Sequence, residues 1–140
     1  MTSEAEPEIH FGLSQEEREW FESLNVIQTA RVWSRYKEEI LPAINSADWD
    51  FLSTVLDGAF SYDVDALETP FEKPALMVMG RQDISVGYRD QFSILENFPR
   101  ASFVILDKAG HNLQIEQDHL FSELVKEWLQ RVAEEVGVLE

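Results

Sequence analysis

Two polar residues stand just beyond apolar runs in this sequence. Asp83 closes Gly80-Arg81-Gln82-Asp83, and His111 lies within Ala109-Gly110-His111-Asn112. A carboxylate and an imidazole have a joint use. The carboxylate accepts a hydrogen bond from one ring nitrogen, fixes the tautomer and stabilises the imidazolium; the other nitrogen then takes a proton from a nucleophile. Each residue also has a plain structural use. An aspartate after a strand serves as a turn residue or helix cap, and a Gly-His pair after a strand is an ordinary loop.

Whether the two can meet depends on the elements that carry them. Residues 75–79, Ala-Leu-Met-Val-Met between Pro74 and Gly80, form an unbroken apolar run, the pattern of a strand buried on both faces. Residues 102–106 form a second such run, ending at Asp107. Between them, residues 88–98 carry Phe92, Leu95 and Phe98 at steps of three, a helical spacing closed by Pro99. After the histidine loop, residues 118–135 place Phe121, Leu124, Val125, Trp128, Leu129 and Val132 in one wide helical stripe. Strand, helix, strand of this length is a βαβ unit with parallel strands and a right-handed crossover. In open α/β sheets, functional groups sit outside the carboxyl ends of the strands. That is where Asp83 and His111 fall.

The first half of the chain has another texture. Ser14 and Glu17 form a capping-box pattern ahead of a helix with Trp20, Phe21 and Leu24. A second helix is expected over residues 28–41, with Trp33, Tyr36 and Ile40 on one face and Pro42 ending it. A third, from Ser46 or Asp48, places Phe51, Leu52, Val55 and Leu56 inward, with Gly58 as its cap. Residues 59–73 lack a period and contain Pro70, which marks a connector. The organisation expected is an acidic flexible start (1–13), a helical region (14–69) and a β-α-β-α lobe (70–140).

The bulk numbers restrict the partners. Over 140 residues, 27 acidic side chains against 11 basic ones leave a net charge of −16, which opposes nucleic acid and anionic membranes. With no cysteine there is neither a disulfide framework nor a thiolate nucleophile. No apolar stretch is long enough to span a bilayer, and the acidic start is unlike a signal peptide. A cytoplasmic protein is expected. Three scattered histidines, His10, His111 and His119, argue against zinc, and Asp63 with Asp65 are too few ligands for a cation site. No metal is expected.

Other residues carry less. Trp20, Phe21, Trp33, Tyr36, Phe51, Phe60 and Tyr62 are read as core in preference to the lining of a substrate pocket. Ser61 reads as a loop serine. Glu116 is given a hydrogen bond in the loop, or a place at the last helix's N-terminus, and no catalytic role.

From Pro74 to Val132 the chain resembles the C-terminal end of the α/β-hydrolase family. The resemblance lies in the apolar strand ending at Gly80, the acid at Asp83, Pro99 before the last strand, Gly110-His111, and the final helix with Trp128. The order acid, then histidine, agrees with the family's serine, acid, histidine. The helical half is similar to the cap of single-domain bacterial hydrolases, around Phe21-Glu22-Ser23-Leu24 and Ile40-Leu41-Pro42. The resemblance implies a partial α/β-hydrolase fold, a helical cap region followed by a parallel β-α-β-α unit. It also implies hydrolysis of an ester or a related acyl or C–C bond of a small-molecule substrate, with catalytic Asp83 and His111 and no cofactor. Asn112 departs from the aromatic residue often found after the histidine in ring-cleavage C–C hydrolases, which puts that substrate class in question.

The family pattern also includes a Gly-x-Ser-x-Gly elbow that exposes the nucleophile. No two of the six glycines here bracket a serine in that way. In the family, that elbow and the earlier strands precede the cap. The expectation is a chain without serine-hydrolase turnover of its own, whose first strand presents an unpaired edge. Such edges invite pairing with another chain, so a homodimer or swapped oligomer, or a cap that refolds over the open edge, is expected. The alternative is a non-catalytic remnant acting as a self-associating binding or structural module.

Overall fold

A computed structural model describes residues 4–5, 13–57 and 67–138. His10, Gly58, Phe60, Ser61, Tyr62, Asp63 and Asp65 lie outside the described residues, as does most of the acidic start. The helical part comes first. A short strand β1 (Glu4–Ala5) pairs in parallel with β2 (Ile27–Gln28), and α1 (Gln15–Leu24) lies between them in sequence. The capping box is closed: the Ser14 hydroxyl accepts from the Glu17 amide at 3.2 Å, and the Glu17 carboxylate accepts from the Ser14 amide at 2.9 Å. Together they satisfy two amides that the first turn leaves free.

Thr29, not Gln28, starts the next helix, its hydroxyl accepting from the Val32 amide at 3.3 Å. α2 (Ala30–Arg35) runs into one π-helical turn, Tyr36–Ile40, and then into α3 (Leu41–Ser46). Pro42 therefore does not end the helical path, contrary to expectation. Its ring would strike the carbonyl four residues back in a regular α-helix. The wide turn before it relieves that clash and leaves Pro42 in the first turn of α3, where a missing amide costs nothing.

Phe21, Val32, Tyr36 and Ile115 are the buried centre, with Ile27, Trp33, Ile40, Leu41 and Ile44 packed around them. Phe21 meets Trp33 and Tyr36 edge to face, with ring centroids 5.2 and 5.3 Å apart. Ile115 comes from the other end of the chain, so the helical part and the strand-bearing part share this core. Several residues expected inside are outside, among them Trp20 at 56% exposed and Phe51 at 63% exposed. α4 (Trp49–Asp57), held at its start by Asp48 accepting from the Phe51 amide at 2.9 Å, also exposes Val55 and Leu56. Most of its apolar stripe is left open to solvent.

The strand-bearing part follows. β3 (Ala75–Gly80) and β4 (Ala101–Leu106) are parallel and in register from Ala75 opposite Ala101 to Gly80 opposite Leu106. They form a two-stranded sheet, so most strand residues are half-buried rather than closed off on both faces. Residues 88–98 are not one helix. They hold α5 (Asp90–Ser93), which lacks a side-chain cap at its start, and a 3-10 turn (Leu95–Asn97). Pieces this short do not sustain themselves without packing, and here the packing is partial: Phe92 stacks on Phe103 with centroids 6.4 Å apart, yet it and Leu95 remain exposed.

A one-turn α6 (Leu113–Glu116) leads into α7 (Asp118–Glu135), whose bounds match those expected. Trp128 donates its indole N–H to the Pro74 carbonyl at 3.0 Å. Arg131 donates to the carbonyls of Ala75 at 3.3 Å and Arg100 at 3.1 Å, and to the Ser102 hydroxyl at 3.0 Å. One helix thus clamps the entry of both strands. Of its expected stripe, Leu129 is exposed. No helix among the described residues is long and apolar enough to cross a membrane.

Candidate active site: an aspartate–histidine couple

Because β3 and β4 end side by side, the loops that follow them leave from one rim and are stitched together. The Arg81 amide donates to the Leu106 carbonyl at 2.9 Å, and the Gln82 amide to the Ala109 carbonyl at 3.0 Å. The Gln82 side chain spans the gap, donating to Asp107 at 2.6 Å and accepting from the Ala109 amide at 3.1 Å. The approach is close enough to require glycine twice. A Cβ on Gly80 would lie 2.4 Å from the Gly110 carbonyl oxygen, and one on Gly110 would lie 2.5 Å from that of Leu24.

At this rim the Asp83 carboxylate lies 3.2 Å from Nδ1 of His111. Its other oxygen accepts from the amides of Ser85 at 2.8 Å and Val86 at 3.2 Å. The two uses of an aspartate after a strand therefore coexist: one oxygen shapes the turn, the other meets the imidazole. The Asp83 side chain is 6% exposed, whereas that of His111 is 40% exposed. Burial pushes the Asp83 carboxyl up; the Ser85 and Val86 amides and His111 more than offset it, so it sits below its ordinary value. It is thus a fixed anion beside the ring at neutral pH.

An imidazole so held has one nitrogen committed and one available. Among the described residues Nε2 has no hydrogen-bond partner, and no serine or threonine hydroxyl reaches the ring. The arrangement can orient a base and stabilise its protonated form; it does not by itself supply a nucleophile.

Sequence reasoning gave Glu116 too small a place. It is 2% exposed and accepts three backbone amides: Gly110 at 2.6 Å, Val26 at 2.5 Å and Ile27 at 2.8 Å. Burial pushes its carboxyl above the ordinary value; the amides oppose that shift and the Asp83 charge adds to it. Its sequence signal was slight: an ionisable residue beside an isoleucine with no polar period to explain it. Asn112 is buried as well, and its Nδ2 has no partner among the described residues.

A cleft of about 470 Å³ lies in the helical part, lined by Trp20, Tyr36, Leu41, Ile44 and Trp49 with Glu16, Glu17 and Asn45. Asp83 and His111 are not among its walls. Among the described residues, no group of His, Asp and Glu side chains could hold a metal ion.

No family model matches the sequence, and no curated protein matches it. Among solved structures, the chain is similar to an alpha/beta superfamily hydrolase from Oenococcus oeni PSU-1, with 25% sequence identity and a TM-score of 0.79. The likeness covers 91% of this chain and 48% of that one, so the chain spans about half the length of the hydrolase it matches.

Proposed function

Starting from a chain related to the α/β-hydrolases and built as part of their fold, we propose that it is the portion of a hydrolase that carries the acid and the base. The 3.2 Å contact between Asp83 and Nδ1 of His111 carries the reading. Asp83 orients the ring and stabilises its cationic form, and His111 takes a proton through Nε2. The proton donor is a serine hydroxyl from another segment or another chain, since the sequence has no Gly-x-Ser-x-Gly. The helical region 14–69 is its cap, and the substrate is a small-molecule ester or a compound with a related acyl or C–C bond.

The test is made on the purified chain with a fluorophosphonate probe and an ester substrate. No serine is labelled and no ester is turned over, because an oriented base without nucleophile or oxyanion donors loses orders of magnitude in rate. Stoichiometric labelling of any serine in this chain overturns the division of labour.

A second reading has its own support. β3 and β4 each pair on one side only among the described residues, and α4 exposes Phe51, Val55 and Leu56. Open strand edges and exposed apolar surface each favour self-association, which makes a non-catalytic, self-associating module the alternative. Light scattering across a concentration series tests it: an oligomer is expected of either reading, and a monomer at every concentration with a cooperative melt removes this one.

A further inference from the structure

The strand-bearing part and the helical part meet at two stretches of backbone. One is the histidine loop, Gly110-His111. The other is the connection from α1 to β2, running from Leu24 to Ile27. The His111 amide donates to the Leu24 carbonyl at 2.9 Å. In the opposite direction, one buried carboxylate joins both stretches: Glu116 Oε2 accepts from Gly110, and Oε1 accepts from Val26 and Ile27. Gly110 is pressed so near Leu24 that it has no room for a Cβ. The result is a clasp of four hydrogen bonds closing on the residue next to the imidazole.

A buried carboxylate is costly unless its charge is met by good donors. Hydrogen bonds from amides to an ionised oxygen are roughly twice as strong as neutral ones. The choice of a carboxylate here has a geometric reason. It offers acceptors on both oxygens, so it can hold two separate stretches of backbone at once. A glutamine has the same shape but one acceptor oxygen, and its NH2 would face an amide N–H.

We infer that Glu116 is a positioning residue for His111: by gripping Gly110 and the Val26–Ile27 amides together, it fixes the imidazole against Asp83 and couples that contact to the placement of the helical part. Glu116 does not touch the ring; it acts through backbone. The inference rests on the reading of Asp83 and His111 as an acid–base couple.

The experiment follows the His111 ring nitrogens by 15N NMR, at a pH where the ring is neutral, in the wild-type chain, Asp83→Asn, Glu116→Gln and the double variant. The wild type holds its proton on Nδ1. Glu116→Gln loses about half or more of that preference, and Asp83→Asn then adds less than it does alone, the mark of coupled residues. A merely structural Glu116 would lower Tm and leave the tautomer to Asp83. A folded Glu116→Gln chain with the wild-type tautomer, or variant effects that simply add, overturns the inference. A silent Asp83→Asn instead overturns the acid–base couple itself, so the two failures are distinguishable. If Glu116→Gln does not fold, hydrogen exchange on the wild type takes its place. The amides of Val26, Ile27, Gly110 and His111 are expected to open as one unit, and independent opening overturns the clasp.

Discussion

Gly80→Ala is the substitution whose consequence is most fully set by geometry. The added methyl would lie 2.4 Å from the Gly110 carbonyl oxygen and 2.5 Å from that of Ala109. Carbon and oxygen in contact keep about 3.3–3.6 Å apart, so the histidine loop must retreat by about 1 Å or β3 must bend away. Neither obstacle is a side chain that can turn aside. Overpacking of this kind costs about 1–3 kcal/mol, which for a chain of this size lowers Tm by roughly 2–12 °C. The retreat also carries His111 away from Asp83, from 3.2 Å to beyond the distance at which a hydrogen bond persists. Gly87→Ala is the control. Gly87 has φ +71° with nothing within 4 Å of its would-be Cβ, so it adds backbone strain of about 1 kcal/mol without touching the loop. Thermal melts and the His111 15N spectrum, read on both variants, decide the matter. Gly80→Ala lowers Tm and disturbs the imidazole; Gly87→Ala lowers Tm alone. A Gly80→Ala chain within about 1 °C of wild type, with an undisturbed imidazole, would refute the close approach on which the site depends.

Two further outcomes follow from the core and the carboxylates. In urea titrations, Phe21→Ala costs about 3–5 kcal/mol, because Phe21 is 1% exposed at the shared core. Phe51→Ala, at 63% exposed, stays within about 0.5 kcal/mol of wild type; the reverse order would contradict the placement of α4. In stability measured against pH, Asp83 and Glu116 act with opposite sign. Asp83 is lowered in the folded chain, so its contribution is full above the ordinary carboxylate value and is lost as pH falls through its folded value. Glu116 is raised, so its contribution is full below the ordinary value and is lost as pH rises through its folded value. Glu135, held at about 2 by Lys73 and Arg100, adds a salt-screened share to the acid limb. Asp83→Asn flattens that limb and Glu116→Gln does not; matching changes in both would contradict these assignments.

The elements legible in the sequence were those whose pattern is local and strong. The apolar runs that became β3 and β4, the capping box at Ser14, and the stripe of α7 each announced themselves. Asp83 and His111 were legible because parallel strands in register must deliver their following loops to one rim. What was missed depended on contacts between distant segments. The stripe of α4 has a helical period, but a period cannot say whether anything lies against it. The π-turn that admits Pro42 arises from a backbone clash that residue spacing does not display. Arg131 reads as one polar residue beside the apolar stripe of α7, although it clamps two strand entries through carbonyls 31 and 56 positions away. Glu116 is the sharpest case. Its partners are backbone amides, which leave no trace in residue type, and two of them lie 89 and 90 positions away.

The most direct test of the central claim is the protonation site of the neutral His111 ring in the folded wild-type chain, read from its 15N shifts and compared with Asp83→Asn. An imidazole held by an ionised Asp83 carries its hydrogen on Nδ1 and loses that preference when the carboxylate is removed. A ring that carries its hydrogen on Nε2 in both proteins would mean that Asp83 does not orient it, and the candidate site would not be an acid–base couple.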